Sequence, residues 1–197
     1  SRGLGDVYKR QGGSDYTSVS EGGSPTGYFL RKYIQETTSF ETDKEVVNKH
    51  HWIVYRYAET LLTYAESMVM TFKNPQYTNI DFPKSAEWAL NEVRKNAGMP
   101  TVSITDPNEF MKALQNEWRV EFAFEDHRFW DIRRWQIAEN TQKELYGVSI
   151  ERTTDGSLNF QRILYKNRTW NQRMYLYPIP QNELFKNKNL NPQNTGW

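Results

Sequence analysis

Three glutamates, Glu117, Glu121 and Glu125, recur every four residues at the head of the segment Glu117 to Trp135, which holds nine charged residues and six aromatics in nineteen positions. In a helix that spacing stacks the carboxylates on one face, where like charges repel unless cations answer them. Two kinds of chemistry use such a cluster. A carboxyl pair flanking an open cleft, about 5–10 Å apart, can act as acid and base on a glycosidic bond. Carboxylates interleaved with core aromatics form a buried ion network instead, because breaking such a pair costs on the order of 3–5 kcal/mol. Aromatics run through this segment, so the buried network is the favoured reading and no catalytic residue is assigned. Arg128 stands three residues after Glu125 and three before Asp131. The remaining partners are expected from an upstream helix carrying Arg56, Glu59 and Glu66, and Arg134 completes the set.

Other chemistries find less support. His50 and His51 are adjacent, so their side chains diverge, and His127 is distant in sequence; no metal site is expected. No glycine-rich phosphate loop and no Gly-x-Ser-x-Gly elbow is present, and no cofactor is implied. Arg128, Arg133 and Arg134 beside Trp130 and Trp135 resemble a nucleic-acid surface until Glu121, Glu125, Asp126 and Asp131 are counted, which neutralise the same stretch. Recognition of sugars asks for displayed aromatic rings among polar side chains, since ring CH faces stack on aromatics while hydroxyls take hydrogen bonds. Tyr16, Tyr28 and Trp170 stand in or beside polar loops and are the candidate ligand-binding residues.

The chain has 197 residues, a net charge of +1, 15% aromatics and no cysteine. That length accommodates one domain with a sizeable core. The small charge argues against a broad phosphate-binding surface. Without cysteine there are no disulfides or thiolate metal sites, and no stretch has the eighteen or so consecutive apolar residues of a membrane-spanning helix.

The elements that must position these residues are mainly helical. Ala58, Leu61, Leu62, Ala65, Val69 and Phe72 recur at three- and four-residue spacing, which predicts a helix over Lys49 to Phe72. A second helix is predicted over Pro83 to Ala97, stopped by Gly98 and Pro100, and makes a helical hairpin with the first. Asp106, Pro107 and Glu109 read as a capping box opening a third helix that runs to Phe124. A break near Asp126 and His127 precedes a helix through Trp130 to Ala138. Asp155-Gly156 lies between Val148 to Thr153 and Leu158 to Leu164, a β-hairpin pattern. The proline- and asparagine-rich tail reads as turns with a short helix near Gln181 to Phe185.

Five ordered motifs carry a resemblance. Gly27-Tyr28 with Arg31-Lys32-Tyr33 comes first, then Arg56-Tyr57-Ala58-Glu59 with Tyr64-Ala65-Glu66. Asn91-Glu92-Val93-Arg94 with Ala97-Gly98-Met99-Pro100 follows. Next is the run from Glu121 through Glu125, Arg128-Phe129-Trp130-Asp131-Ile132 and Arg134-Trp135. Last come Pro178-Ile179-Pro180, Glu183, Asn191-Pro192 and the closing Gln193-Asn194-Thr195-Gly196-Trp197. Together they are similar to the C-terminal signature of the SusD/RagB family. The resemblance implies a mainly α fold: tetratricopeptide-like (TPR-like) helical hairpins packed with an irregular, loop-rich C-terminal part and a small β-hairpin. It implies that residues 1–11 are a cloning or assembly scar and that residues 12–197 are the C-terminal domain of a longer protein whose N-terminal half is missing here.

By the same resemblance, the whole protein is a non-enzymatic lipoprotein on the outer face of the outer membrane, anchored through a cysteine absent from this chain. It would bind glycans, or nutrients such as peptides, and pass them to a SusC-type TonB-dependent transporter. A helical-repeat interaction scaffold without a small ligand is the alternative reading, and a sugar-processing enzyme a weaker one.

Overall fold

The computed structural model describes residues 2–4, 24, 26–35, 37–48 and 51–197. It divides into two compact units, one of residues 35–128 and one that joins residues 1–34 to residues 129–197.

The first unit is built on three helices: α1 (Tyr57–Phe72), α2 (Ala86–Asn96) and α3 (Pro107–Glu121). On α1 the buried face is Leu61, Leu62, Ala65, Met68 and Val69, and the chain leaves the helix through Lys73 in the left-handed conformation. The expected start at Lys49 is eight residues early. Trp52, Ile53, Val54 and Tyr55 continue an apolar pattern but are largely exposed and lie outside any helix, so no burial rewards helix formation there. The second helix starts at Ala86 rather than Pro83, because the Ser85 hydroxyl accepts the Trp88 amide and so fixes the N-cap. Ala86 and Ala89 are fully buried, and such small side chains let α2 lie close against α1. Gly98, at φ 68, ends the segment.

At the start of α3, the Asp106 carboxylate accepts the amides of Asn108 and Glu109, with Pro107 in the first turn. The reciprocal half of the capping box is replaced: the Glu109 carboxylate accepts from Lys112 at 2.7 Å. The helix ends at Glu121, three residues short of the expected Phe124, which itself adopts φ 66. Phe110, Leu114, Trp118 and Phe122 enter the core with Leu62, Leu90 and Val93. Full burial of side chains of this size is worth about 1.5–3 kcal/mol each.

The loop between α2 and α3 is strapped to α2 by its own polar side chains. Asn91 exchanges two hydrogen bonds with the backbone of Val102, both 2.8 Å. Glu87 accepts the Ile104 amide at 3.0 Å, and Arg94 donates to the Pro100 carbonyl at 2.9 Å.

The division between the units falls inside α4 (His127–Arg134), after Arg128. Asp126, at φ 63, makes the break that precedes this helix. The helix expected to continue to Ala138 is interrupted by Gln136 at φ 54, and the chain resumes as α5 (Ala138–Gln142).

Beyond α5 the second unit contains a β-hairpin of β3 (Glu144–Arg152) and β4 (Leu158–Asn167), antiparallel from Glu144↔Asn167 to Arg152↔Leu158. It is longer at its base than Val148 to Leu164, and a register irregularity at Leu145/Tyr146 breaks the alternation that would have revealed the extension. At the tip, Gly156 takes φ 88, and Asp155 accepts from Thr153 and from the amide and hydroxyl of Ser157. The strands β1 (Arg2–Leu4) and β2 (Tyr28–Leu30) form a second two-stranded antiparallel pair. The Thr26 carbonyl accepts the Val148 amide at 2.9 Å, covering part of the free edge of β3. This approach needs glycine on both sides: a Cβ on Gly27 would lie 2.4 Å from the Val148 oxygen, and one on Gly147 would lie 2.7 Å from the Thr26 oxygen.

Short 3₁₀ turns at Gln172–Tyr175 and Lys188–Leu190 flank α6 (Gln181–Lys186) in the tail. Among the described residues no helix is long and apolar enough to cross a membrane. The architecture is therefore mainly helical with small antiparallel strand pairs.

Candidate functional site

In the first unit the carboxylates meet guanidinium groups. Arg56, just before α1, lays one edge along Glu125, with Nε and Nη2 donating to the two carboxylate oxygens at 2.9 Å each. Its Nη1 donates to Glu121 Oε1 and its Nη2 to the Glu121 carbonyl. The guanidinium also lies over the Phe122 ring, 4.3 Å from its centroid. Burial works against the charge on Arg56, but the hydrogen bonds and charges of Glu125 and Glu121 outweigh it and raise its pKa above the ordinary arginine value. Such side-on, two-point contact is specific to the planar arginine fork.

Glu117, buried on α3, takes Arg94 Nη1 at 2.7 Å. Arg94 is a partner absent from the expected network, although it follows core residue Leu90 by four and so shares its helix face. Glu59 lies 3.6 Å from His127 Nε2, and the imidazole packs against Phe122 and Trp118 with ring centroids at 4.5 and 5.4 Å. Glu66 on α1 and Arg128 on α4 are half-buried. A hollow of about 370 Å³ lies beside the Arg56–Glu121 pair, lined also by Tyr57, Glu92 and Asn96. His50 lies outside the described residues and His51 is exposed; among the described residues no three His, Cys, Asp or Glu side chains come together as a metal site.

The second unit holds a larger hollow, about 930 Å³, bounded by the end of α4, by residues 171–177 and by the closing segment 193–196. Its walls are fastened by the motif residues of the chain end. Ile179 stands between two prolines, so its own amide is the single backbone donor of that triplet. Gln193 accepts that amide at 2.7 Å and returns a bond to the Ile179 carbonyl at 2.8 Å. Asn194 donates to the Tyr177 carbonyl at 2.6 Å. The Trp197 indole N–H is shared between the carbonyls of Arg173 and Leu176, at 3.1 and 3.0 Å. Gly196 sits at φ +90 with Arg173 so close that an added Cβ would lie 2.8 Å from the arginine Cβ.

The lining combines rings, amides and arginines. Trp130 and Tyr177 are each 63% exposed, and Gln136, Asn171, Gln172, Gln193 and Asn194 supply amides. Arg133 stacks over Phe129 at 3.6 Å and faces Trp170 at 5.3 Å, with Nη1 donating to the Phe129 carbonyl at 2.8 Å. Arg173 lies over Trp197 at 4.5 Å and donates to the Gly196 carbonyl at 3.2 Å. Arg134 pairs with buried Asp131 at 3.0 Å.

Of the three residues selected for ligand contact, Tyr16 lies outside the described residues. Tyr28 is 41% exposed on β2. Trp170 is half-buried beside the hollow rather than on its lining, edge-on to Tyr175 at 5.2 Å. The lining aromatics Trp130 and Tyr177 were not selected. Trp130 sits in a helical, charge-rich run that reads as core, and only its 63% exposure reveals it as a displayed ring.

Comparison with known proteins agrees with this architecture. The SusD family model matches residues 4–197, and the chain belongs to that family. It is 30% identical over 156 residues to SusD-like protein P2 of Formosa agariphila, covering 75% of this chain and 26% of that protein. The crystal structure of a SusD-like protein from Bacteroides fragilis superposes with a TM-score of 0.68 at 34% identity, over 89% of this chain and 31% of that one. A second, described as a SusD-like carbohydrate-binding protein from the same species, gives a TM-score of 0.60 at 26% identity, over 95% of this chain and 38% of that one. The chain thus spans between a quarter and two fifths of the length of these relatives.

Proposed function

We propose that this chain is part of a non-enzymatic glycan-binding protein of the outer cell surface, held to the outer membrane by a lipid anchor that lies outside this chain. The protein passes captured oligosaccharide to a SusC-type TonB-dependent transporter. The observation that carries the reading is the hollow of the second unit, where exposed rings of Trp130 and Tyr177 stand among side-chain amides in a chain of the SusD family. Flat rings take the CH face of a pyranose, and amides supply both donors and acceptors to its hydroxyls. Trp170 supports this wall by backing Arg133 and Tyr175, and Tyr28 offers a further ring elsewhere. The SusD-like carbohydrate-binding relative points to the same ligand class.

An enzymatic reading has less to stand on. Both oxygens of Glu125 and one of Glu121 are occupied by Arg56, which leaves no free acid and base pair there. The test is calorimetric titration of the 197-residue chain with a panel of neutral and charged oligosaccharides, together with an assay for new reducing ends. Binding that drops at least tenfold in Trp130→Ala and Tyr177→Ala, with no new reducing ends, is expected. Binding unaffected by both substitutions would move the site away from this hollow, and new reducing ends lost in Glu121→Gln would make the protein an enzyme.

A further inference from the structure

Resting on the glycan-binding reading, we propose that the hollow of the second unit selects acidic oligosaccharides, recognising an anionic substituent on the sugar ring through Arg133 and Arg173. Three arginines line this hollow and no aspartate or glutamate does. One of the three, Arg134, is neutralised by Asp131. The nearby Glu139 is not on the lining, and its carboxylate is engaged by Lys143 at 3.1 Å and by the lining residue Gln172 at 3.2 Å. Arg133 and Arg173 have no carboxylate partner among the described residues. Their visible commitments are one backbone carbonyl each, Phe129 for Arg133 and Gly196 for Arg173. The buried Nε of Arg133 has no acceptor among the described residues.

A buried donor without an acceptor is costly, and a guanidinium has five N–H groups to satisfy. Both side chains are also held in place before any ligand arrives, Arg133 against Phe129 and Trp170, and Arg173 against Trp197. The planar fork of a guanidinium matches two oxygens of a carboxylate or sulfate. A neutral sugar would leave that positive charge unanswered. The rings of Trp130 and Tyr177 on the same lining then read the sugar to which the acid is attached.

The experiment is titration of the 197-residue chain with tetragalacturonate, its fully methyl-esterified form, a sulfated carrageenan tetrasaccharide, maltotetraose and tetraglutamate, at 20 and 300 mM NaCl. Tetragalacturonate or the sulfated tetrasaccharide is expected to bind at least tenfold more tightly than the methyl ester and maltotetraose. Which of the two acids prevails separates carboxylate from sulfate recognition. That advantage should shrink at the higher salt, and Arg173→Gln should remove most of it while circular dichroism and melting temperature stay unchanged. Equal binding of the acid and its methyl ester would overturn this inference and leave glycan binding intact. Equal binding of tetraglutamate would overturn it by showing that charge alone is read, and binding of none of the oligosaccharides would remove the glycan-binding reading along with it.

Discussion

The side-chain amide of Gln193 satisfies both backbone groups of Ile179, accepting its N–H at 2.7 Å and donating to its carbonyl at 2.8 Å. A side chain fourteen residues away thereby takes the place of a neighbouring strand. This relation accounts for the pairing of a Pro-Ile-Pro triplet with a closing Gln-Asn in the sequence, since the flanking prolines cannot donate. Gln193→Ala is expected to destabilise the second unit by about 1–3 kcal/mol, the cost of leaving partly buried backbone groups unpaired. Amide exchange should accelerate at Ile179 and change little at Leu62. Gln193→Glu, which keeps an acceptor and loses the donor, should fall between the two.

Arg56 joins two carboxylates that face a common side. Arg56→Ala orphans Glu121 and Glu125 together and should cost about 3–5 kcal/mol in urea unfolding. Arg56→Lys keeps the charge without the two-point geometry and should recover less than half of the loss. A cost below about 0.5 kcal/mol for the alanine variant would class the cluster with exposed ion pairs.

Asp155 at the hairpin tip has its carboxyl pKa lowered to about 2, by the Thr153 hydroxyl first and then the amide and hydroxyl of Ser157. A folded-state pKa below the unfolded one contributes stability that is present above the unfolded carboxylate range and is lost as pH falls through about 2. The Ser157 amide proton, followed by NMR, should therefore hold its shift down to strongly acidic solution and change only near that pH. In Asp155→Asn the acid transition should vanish.

Gly27 and Gly98 both adopt positive φ, yet only one of them is crowded. Gly98→Ala meets nothing within 4 Å and should lose only the backbone preference for the left-handed region, about 1–2 kcal/mol. Gly27→Ala would place its methyl 2.4 Å from the Val148 oxygen, so the contact with β3 must open. A larger fall in melting temperature for Gly27→Ala than for Gly98→Ala is expected by calorimetry, and equal falls would show that the Thr26–Val148 contact contributes little.

The parts legible in sequence are those whose signals are local. Asp106 followed by Pro107 announced α3 because a cap and its helix are neighbours, and Asp155-Gly156 announced the hairpin for the same reason. The start of α1 is not legible in the sequence because Trp52 to Tyr55 are apolar without being covered, and periodicity cannot report coverage. The end of α4 was hidden because Gln136 carries the left-handed turn with no glycine to mark it. Within the ion cluster, the need for cations follows from the spacing of Glu117, Glu121 and Glu125. The choice of Arg94 for Glu117 is a tertiary fact, set by how α2 packs on α3.

The contact of Thr26 with Val148 also bears on the order of assembly. The helical unit is one uninterrupted stretch, whereas its companion must join residues from before that stretch to residues after it. Bringing such remote segments together is entropically expensive and slow compared with closing neighbours. On a ribosome the three-helix body can therefore complete itself while the hairpin is still unmade, and the early segment must wait for β3 to emerge before it gains its partner.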